Sequence, residues 1–312
     1  MDGMLIIDKP AGWTSHDVVA KIRGITRIKK IGHTGTLDPF ATGTLPLVVG
    51  RATRLASWFQ SSDKVYRGVM RFGFATNTYD VEGEPLGEDT NPDLDPVRLE
   101  EIFDRWRGTV QQTLPPFSAK KVQGKPLYVY ARKNIEIAPS VKEITIKSLQ
   151  LLGVNRSSAE FELVCAAGAY ARGLAHDIGR EYGCGAHLEQ LRRIRCGDFS
   201  IDDATPLTPP DDTQNFYPAD FFFKRMIPMN RLLPDIPSIV VSDGDKHKLL
   251  HGNDLNLLSA DWQSENYRLL DTDGALVAIA KIIKVFESPT PQTVRWIRIH
   301  PIVTFCVDTD EP

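Results

Sequence analysis

The sequence contains few cysteines and no long apolar run. Its four cysteines among 312 residues form no C-x-x-C pair, so neither a disulfide-stapled scaffold nor a zinc ribbon is indicated. No stretch approaches the ~20 apolar residues of a membrane-spanning helix, and the first residues lack the basic and apolar regions of a signal peptide. These absences predict a soluble protein of the reducing cytoplasm.

Motifs for nucleotides and metals are also missing. The chain has neither G-x-G-x-x-G after a strand nor G-x-x-x-x-G-K-[ST]. His247 and His251 are four residues apart without the glutamate of a metalloprotease helix, and Cys184 with His187 has no second pair of ligands. We therefore expect no metal and no cofactor.

The formal net charge of −3 gives no global basic signature. The charges are nevertheless segregated, since residues 1–60 contain 8 basic and 4 acidic side chains and residues 113–200 contain 13 and 8. Residues 61–112 and 201–312 are net acidic. Two basic blocks suit a protein with one face for an anionic partner, although a solvated surface produces the same pattern about as often. The net charge therefore does not exclude a nucleic-acid partner.

Periodic patterns predict elements along the chain. The predicted strands are Leu5–Ile7, Lys64–Phe74, a hairpin of residues 142–153 and 157–166, and segments around 267–270, 275–285 and 294–299. Four predicted helices begin after the capping box of Thr14 and Asp17, after Asp95 with Pro96, after the turn at Gly168 and after Ser242. A further short helix is predicted around Leu188 and Leu191. Residues 31–50, rich in glycine and with two prolines, are predicted to be a functional loop.

That loop contains GHTGTLDPFATG at residues 32–43. Asp-Pro is a common turn former, so Asp38 taken alone would have a structural role. The whole stretch, however, resembles the catalytic loop of the TruB family of tRNA pseudouridine-55 synthases. The family pattern G-H-T-G-T-L-D-P-x-A-T-G has its catalytic aspartate at the position of Asp38.

The resemblance extends over nearly the whole chain, in the order of the family. The other matching motifs are Leu5–Ser15, Asp63–Tyr66, Pro115–Lys121, Leu127–Arg132, Cys165–Arg172 and Gly183–Arg193. Phe40, Lys120, Ala169 and Ala171 replace residues expected to be Leu, Val, Thr and Ile. None of these four bears a reacting group.

The resemblance implies a fold and a domain order. The expected fold is the α+β pseudouridine synthase fold, in which helices flank a central mixed or antiparallel sheet. A catalytic domain is expected at residues 1–234, with an RNA-binding insertion at about 113–140. A small PUA-like β-barrel is expected at residues 235–312, matched through Leu249–Leu255 and Asp273–Ala280.

The resemblance also implies a reaction. Pseudouridine formation breaks the N1–C1′ bond of uridine, turns the base and joins C5 to C1′, so it needs no redox or energy cofactor. Asp38 is the implied catalytic carboxylate, and addition to the base, trapping of C1′ and proton removal from C2′ all remain open to it. Tyr66 is expected to stack on the extruded base and to serve proton removal at C5. Arg172 is expected to pair with Asp38.

Substrate contacts follow from the same match. His33 is expected against the flipped-out part of the T loop, and Tyr66, Tyr170 and Leu191 around the base. The residues expected to contact the RNA backbone are Lys9, Lys64, Lys121 and Arg192. The implied partner is the T-arm of tRNA, and we expect a monomer that requires neither a membrane nor a protein partner.

Two other functions are compatible with these motifs. One is a tRNA-binding chaperone or ribonucleoprotein component in which catalysis is secondary. The other is a dyskerin-like, guide-RNA-dependent enzyme inside a multiprotein particle. A pure binder has no need of an ionised carboxylate in an RNA pocket, where it repels phosphate. The insertion at 113–140 and the lack of long basic tails resemble the stand-alone enzymes, which the sequence therefore favours.

Overall fold

The computed structural model describes residues 1–117, 121–122, 125–126, 141–208, 216–259, 264–286 and 295–305. The predicted insertion at about 113–140 lies largely outside these residues. The chain divides into two compact units, one made of Leu5–Leu47 with Leu55–Lys224 and the other of Met1–Met4, Val48–Arg54 and Arg225–Pro312.

The described ranges contain a few short helices and many strands. The helices are α1 Ser15–Thr26, α2 Ala56–Gln60, α3 Pro96–Trp106, α4 Ala171–Tyr182, α5 Ala219–Phe223 and α6 Asp243–Leu250. The strands are β1 Gly3–Lys9, β2 Ile31–His33, β3 Thr42–Val49, β4 Lys64–Phe72, β5 Ala75–Thr76, β6 Pro85–Leu86, β7 Gly108–Thr113, β8 Lys121–Val122, β9 Lys125–Pro126, β10 Val141–Asn155, β11 Ser158–Cys165, β12 Ala186–Cys196, β13 Phe199–Ser200, β14 Thr205–Pro206, β15 Ile227–Pro228, β16 Ser238–Val240, β17 Leu255–Ser259, β18 Asn266–Leu270, β19 Leu276–Val285 and β20 Arg295–Thr304. No helix of the described ranges is long and apolar enough to cross a membrane.

The unit of Leu5–Leu47 with Leu55–Lys224 is built on a mixed sheet. Its strands pair in the order β14–β1–β3–β12–β4–β11–β10–β7. The pairs β1–β14 and β3–β12 are parallel, whereas β12–β4, β4–β11, β11–β10 and β10–β7 are antiparallel. Helix α3 packs on β10, and α4 packs on β12 and β7. The predicted mixed sheet flanked by helices is confirmed.

The helices of this unit begin and end where their caps predict. Asp95 accepts a hydrogen bond from the Val97 N–H at 2.9 Å, and α3 starts at Pro96. Helix α4 ends at Gly183, whose φ of 97° is the left-handed conformation that glycine adopts at little cost. Both helices bury their apolar side chains in one core with strands β4 and β11.

The helix predicted around Leu188 and Leu191 is wrong, because this segment is strand β12. The three-residue spacing of the two leucines is typical of a helix, but a β-bulge between Leu188 and Gln190 produces it here. The extra residue resets the alternation, so that both leucines are buried against the same core. Strands on both sides then pair with β12, which makes it a central strand.

The loop predicted over residues 31–50 is only partly correct. Residues 34–41 connect β2 to β3, whereas Thr42–Val49 form a buried strand. A strand inside a sheet is apolar on both faces, so it lacks the alternation from which a strand is predicted. The hairpin of β10 and β11 is confirmed, but its turn lies at Arg156, where φ is 48°, and not at residues 153–155.

The unit that contains Arg225–Pro312 has its own five-stranded sheet. The strands pair in the order β16–β18–β19–β20–β17 around a core that includes Tyr267 and Ile297. Ser242 caps α6 by accepting the Asp245 N–H at 3.2 Å, as predicted. The three predicted strands are confirmed, and β16 and β17 are additional to them. This sheet is consistent with a PUA-like domain, while the domain boundary at residue 234 stays a prediction.

Candidate active site

A cavity of about 730 Å³ opens where the loop of residues 34–41 meets β4, β11, β12 and the start of α4. The predicted site residues that line it are His33, Asp38, Lys64, Tyr66, Tyr170, Arg172 and Leu191. Lys9 and Arg192 lie elsewhere, and the side chain of Lys121 lies outside the described residues. Segments far apart in sequence thus converge on Asp38.

The loop that carries Asp38 is held on both sides of the aspartate. Before it, the Leu37 N–H donates to Ser15 Oγ at 2.8 Å. After it, Pro39 O accepts hydrogen bonds from Lys9 Nζ at 3.0 Å and from the Gly12 N–H at 2.9 Å. Contacts from β1 and the start of α1 therefore fix the loop at which the motif places the carboxylate.

Arg172 lies in the first turn of α4, between two carboxylates. Its Nη2 is 3.4 Å from Asp38 Oδ1, and its Nη1 donates to Asp80 Oδ2 at 3.0 Å. Nη2 also donates to Phe117 O at 2.8 Å. Arg172 is 6% exposed and Asp80 is 1% exposed, so water screens this pair little. The guanidinium is fixed by Asp80 and presents its second edge to Asp38.

Asp80 is a part of the site that the sequence motifs do not predict. Besides Arg172, its carboxylate contacts Thr78 Oγ1, which donates at 2.6 Å, and the Glu82 N–H, which donates at 3.1 Å. The residue lies in an acidic, turn-rich segment, where nothing in the sequence separates one buried carboxylate from its solvated neighbours. The available signal was the short spacing of Thr78 and Asp80, which is typical of a side-chain-stabilised turn.

The environment of Asp38 perturbs its ionisation. Burial raises the pKa of Asp38 above its ordinary value of 3.8. The charge of Arg172 lowers this pKa, that of Asp80 raises it, and that of Lys9 lowers it. A carboxyl group with a raised pKa and a specific cationic partner in a cavity is typical of a functional group.

Tyr66 forms one wall of the cavity. It lies in β4, opposite Leu163 of β11 and Arg193 of β12. Burial raises the pKa of its phenol to about 12, although the Arg193 guanidinium, which hydrogen-bonds the phenol, lowers it. At neutral pH Tyr66 is therefore protonated, and it offers a ring face together with a hydroxyl group.

Arg193 is a second site residue that the sequence motifs do not predict. It is 1% exposed, and its guanidinium donates to Thr44 O at 2.7 Å, to Gly35 O at 3.1 Å and to Thr36 O at 3.4 Å. These carbonyls lie before and after Asp38, so Arg193 ties the two ends of the loop together. Because the spacing of Leu188 and Leu191 predicts a helix here, nothing in the sequence distinguishes buried Arg193 from its partly exposed neighbour Arg192.

The predicted RNA-backbone residues occupy different environments. Lys9 is fully buried and donates to three carbonyls, and Lys64 donates to Gln60 O and Ser62 O. Arg192 is half-exposed and pairs with both carboxylate oxygens of Asp8, at 3.1 and 2.7 Å. The placement of Lys9 and Lys64 favours a structural role for their ammonium groups.

The remaining predicted residues complete the cavity wall. His33 has an Nδ1 without a hydrogen-bond partner among the described residues, and burial lowers the pKa of its imidazole, as does Arg193. The backbone of Tyr170 is held by Gln112, whose side chain accepts its N–H at 2.9 Å and donates to its carbonyl at 2.8 Å. Leu191 adds a buried apolar surface.

Solved structures share this fold. A chain from "Structure of H/ACA RNP bound to a substrate RNA containing 2'-deoxyuridine" is 23% identical with a TM-score of 0.69, covering 99% of this chain and 87% of that one. A chain from "Crystal Structure of a Cbf5-Nop10-Gar1 Complex" is 25% identical with a TM-score of 0.65, covering 90% and 78%. These likenesses show that the chain shares the fold of those two chains.

The chain belongs to the TruB family of pseudouridylate synthases. The family model for the N-terminal domain matches residues 23–171, and the tRNA pseudouridylate synthase B C-terminal domain matches residues 172–233. A protein of Solibacter usitatus named tRNA pseudouridine synthase B is 40% identical over 91% of this chain and 96% of its own length. Proteins of the same name from Chromobacterium violaceum and Aquifex aeolicus are 41% and 36% identical, over 81% and 84% of this chain and 81% and 90% of their own lengths.

Proposed function

We propose that this enzyme converts the uridine at position 55 in the T loop of tRNA to pseudouridine, with Asp38 as the catalytic carboxylate acting on a flipped-out base. The observation that carries the proposal is the half-buried carboxylate of Asp38, which shares one cavity with the Arg172 guanidinium and the Tyr66 phenol. The tRNA substrate is supported by relatives named tRNA pseudouridine synthase B at 34–47% identity. Their identity is higher than the 23–25% shared with the chains of the H/ACA RNP and of the Cbf5-Nop10-Gar1 complex, which favours the tRNA-acting relatives as the model for the substrate.

The reaction exchanges one bond to C1′ for another, so atoms and electrons balance without a cofactor. Whether Asp38 attacks the base, traps C1′ or removes a proton from C2′, it must be ionised and face the nucleoside. Arg172 favours the carboxylate over the carboxylic acid and fixes its orientation. Because Asp80 holds the other edge of Arg172, the guanidinium does not have to move when a nucleotide enters.

Recognition of the base is assigned to the walls of the cavity. Tyr66 supplies a ring on which an extruded uracil stacks, and Tyr170 and Leu191 complete the base pocket. His33 lies at the entrance of the loop and is assigned to the flipped-out part of the T loop. Arg192 is assigned to the RNA backbone, because its guanidinium is partly exposed. We assign the enzyme to the cytoplasm as a monomer that needs no protein partner.

Tritium release tests this proposal. A T-arm stem-loop labelled with tritium at C5 of uridine 55 loses that tritium when C5 bonds to C1′. With purified protein and no added metal or nucleotide, release should approach completion, and a stem-loop should react nearly as fast as whole tRNA because loop shape and the pocket select the base. A stem-loop with cytidine at position 55 and label in other uridines is the control. Release from that control equal to release from the uridine RNA would contradict the assigned position.

Tyr66 variants separate stacking from proton transfer. Tyr66→Phe keeps the ring, so RNA affinity should stay unchanged while turnover falls because the hydroxyl is lost. Tyr66→Leu should also weaken RNA binding, by about 1–3 kcal/mol for a lost base–aromatic stack. Binding is measured by filter retention and turnover by tritium release. If Tyr66→Phe is as active as the wild type, Tyr66 is a stacking surface and takes no part in proton transfer.

A further inference from the structure

Tyr79 and His176 form a parallel ring stack beside the active site. Their ring centroids are 3.7 Å apart and their planes are inclined by 15°. Tyr79 belongs to the turn between β5 and β6, His176 belongs to α4, and both side chains are half-buried. The stack is therefore a contact between a turn and a helix, outside the residues that line the cavity.

The stack lies next to the ion pair that fixes Arg172. Tyr79 directly precedes Asp80, whose carboxylate accepts from Arg172 at 3.0 Å. His176 follows Arg172 by four residues, so both side chains project from the same face of α4 one turn apart. The ring stack and the ion pair are thus two adjacent links between the same turn and the same helix.

The backbone of Tyr79 needs such a link. Its φ of 69° lies in the left-handed region, which a bulky residue occupies only where the surroundings hold it. One restraint is strand β12, since the Leu188 N–H donates to Tyr79 O at 3.0 Å and the Val81 N–H donates to Leu188 O at 3.0 Å. These bonds fix the turn to β12. Against α4 it is held by the Tyr79–His176 stack, by the Asp80–Arg172 pair and by a long hydrogen bond of 3.5 Å from Arg172 Nη1 to Thr78 O.

We propose that the Tyr79–His176 stack is a positioning element, which holds Asp80 against Arg172 and through Arg172 fixes Asp38 in its catalytic orientation. The inference rests on the proposed role of Asp38. Tyr79 and His176 are positioning residues, because they touch neither the cavity nor the carboxylate of Asp38.

The contact is made through ring faces. Burial lowers the pKa of His176, and the neighbouring Asp177 only partly opposes this, so the imidazole is neutral at physiological pH. Its Nδ1 has no hydrogen-bond partner among the described residues. The stack therefore needs a planar ring at position 176 and no particular heteroatom, and phenylalanine should replace histidine there.

Four variants in the full-length protein test the proposal. Tyr79→Phe and His176→Phe keep a planar ring and should keep the wild-type rate. Tyr79→Gly and His176→Leu remove a ring and should lower the single-turnover rate at saturating T-arm RNA about tenfold, since small misplacements of reacting groups are costly. RNA affinity should not change. Tyr79→Gly also removes the left-handed strain, so a loss of rate in this variant cannot come from backbone strain.

A double-mutant cycle isolates the route of the effect. In an Asp80→Asn background, Tyr79→Gly should cause almost no further loss, because the stack acts through Asp80. Wild-type rates in Tyr79→Gly or His176→Leu, or losses that multiply in the Asp80→Asn background, would overturn the proposal. If Tyr79→Gly does not melt cooperatively, His176→Leu, on a half-buried position of α4, carries the test alone. If Asp38→Asn also keeps its turnover, the proposed function fails as well; if Asp38→Asn is inactive, only the role of the stack fails.

Discussion

Asp38→Asn is expected to lower the rate of pseudouridine formation by about 10³-fold or more and to leave the affinity for T-arm RNA within about twofold. The substitution removes the ionised carboxylate but keeps the shape of the side chain and the loop contacts at Pro39. Glu82→Gln is the matched control, because Glu82 lines the same cavity and senses the charge of Arg172 without forming a direct ion pair with it among the described residues. Turnover of Asp38→Asn above a few per cent of the wild type would remove Asp38 from the catalytic role.

The same variant has an expected effect on stability. Because burial raises the pKa of Asp38 in the folded protein, ionisation of this carboxyl opposes folding. This destabilisation has its full size at a pH above the folded-state pKa. It is absent at a pH below the ordinary pKa of 3.8, where Asp38 is protonated in both the folded and the unfolded protein. Asp38→Asn should therefore melt at a higher temperature than the wild type at neutral pH and lose this advantage as the pH falls toward 4. An unchanged melting temperature across this range would contradict the raised pKa.

Arg172→Met is expected to abolish turnover and also to destabilise the fold. It leaves the buried carboxylate of Asp80 without its counter-ion, and removing one partner of a buried pair typically costs about 3–5 kcal/mol. Arg172→Lys keeps a charge near Asp80 but cannot span both carboxylates, so it should retain most of the stability and little of the activity. Urea denaturation measures the free energy of unfolding, and tritium release measures the turnover.

The double variant Arg172→Met with Asp80→Asn separates these two effects. Removing the unpaired charge should restore much of the free energy of unfolding, whereas turnover should stay as low as in Arg172→Met, since Asp38 still has no cation to orient it. A double variant that regains turnover would show that Arg172 serves the fold and not the reaction.

Local signals in the sequence predicted the elements whose structure depends on local interactions. The cap of Asp95 with Pro96 predicted α3, the turn at Gly168 predicted α4, and the strand predicted over Lys64–Phe74 is β4, which ends two residues earlier. The same reasoning gave a helix for β12, because a bulge imitates helical spacing and only pairing with β3 and β4 identifies the strand. Arg193 was missed for the same reason, since its burial follows from the position of β12 inside the sheet.

The family motifs predicted the residues that line the cavity better than those that support them. Asp38, Tyr66 and Arg172 come from three separate motifs and share one cavity. Asp80 and the Tyr79–His176 stack have no pattern of their own in the sequence, because their environment comes from contacts between distant segments. Lys9 is an opposite case. The motif predicts a contact of Lys9 with the RNA backbone, but its ammonium group donates hydrogen bonds to the carbonyls of Pro10, Trp13 and Pro39.

Mapping pseudouridine in one unmodified tRNA transcript shows directly whether Asp38 catalyses isomerisation at position 55. Carbodiimide labelling followed by reverse transcription gives a stop at each pseudouridine. We expect a new stop at position 55 after incubation with the wild-type protein and with Glu82→Gln, and none with Asp38→Asn. A stop at another uridine, or an equal stop at position 55 with Asp38→Asn, would contradict this expectation.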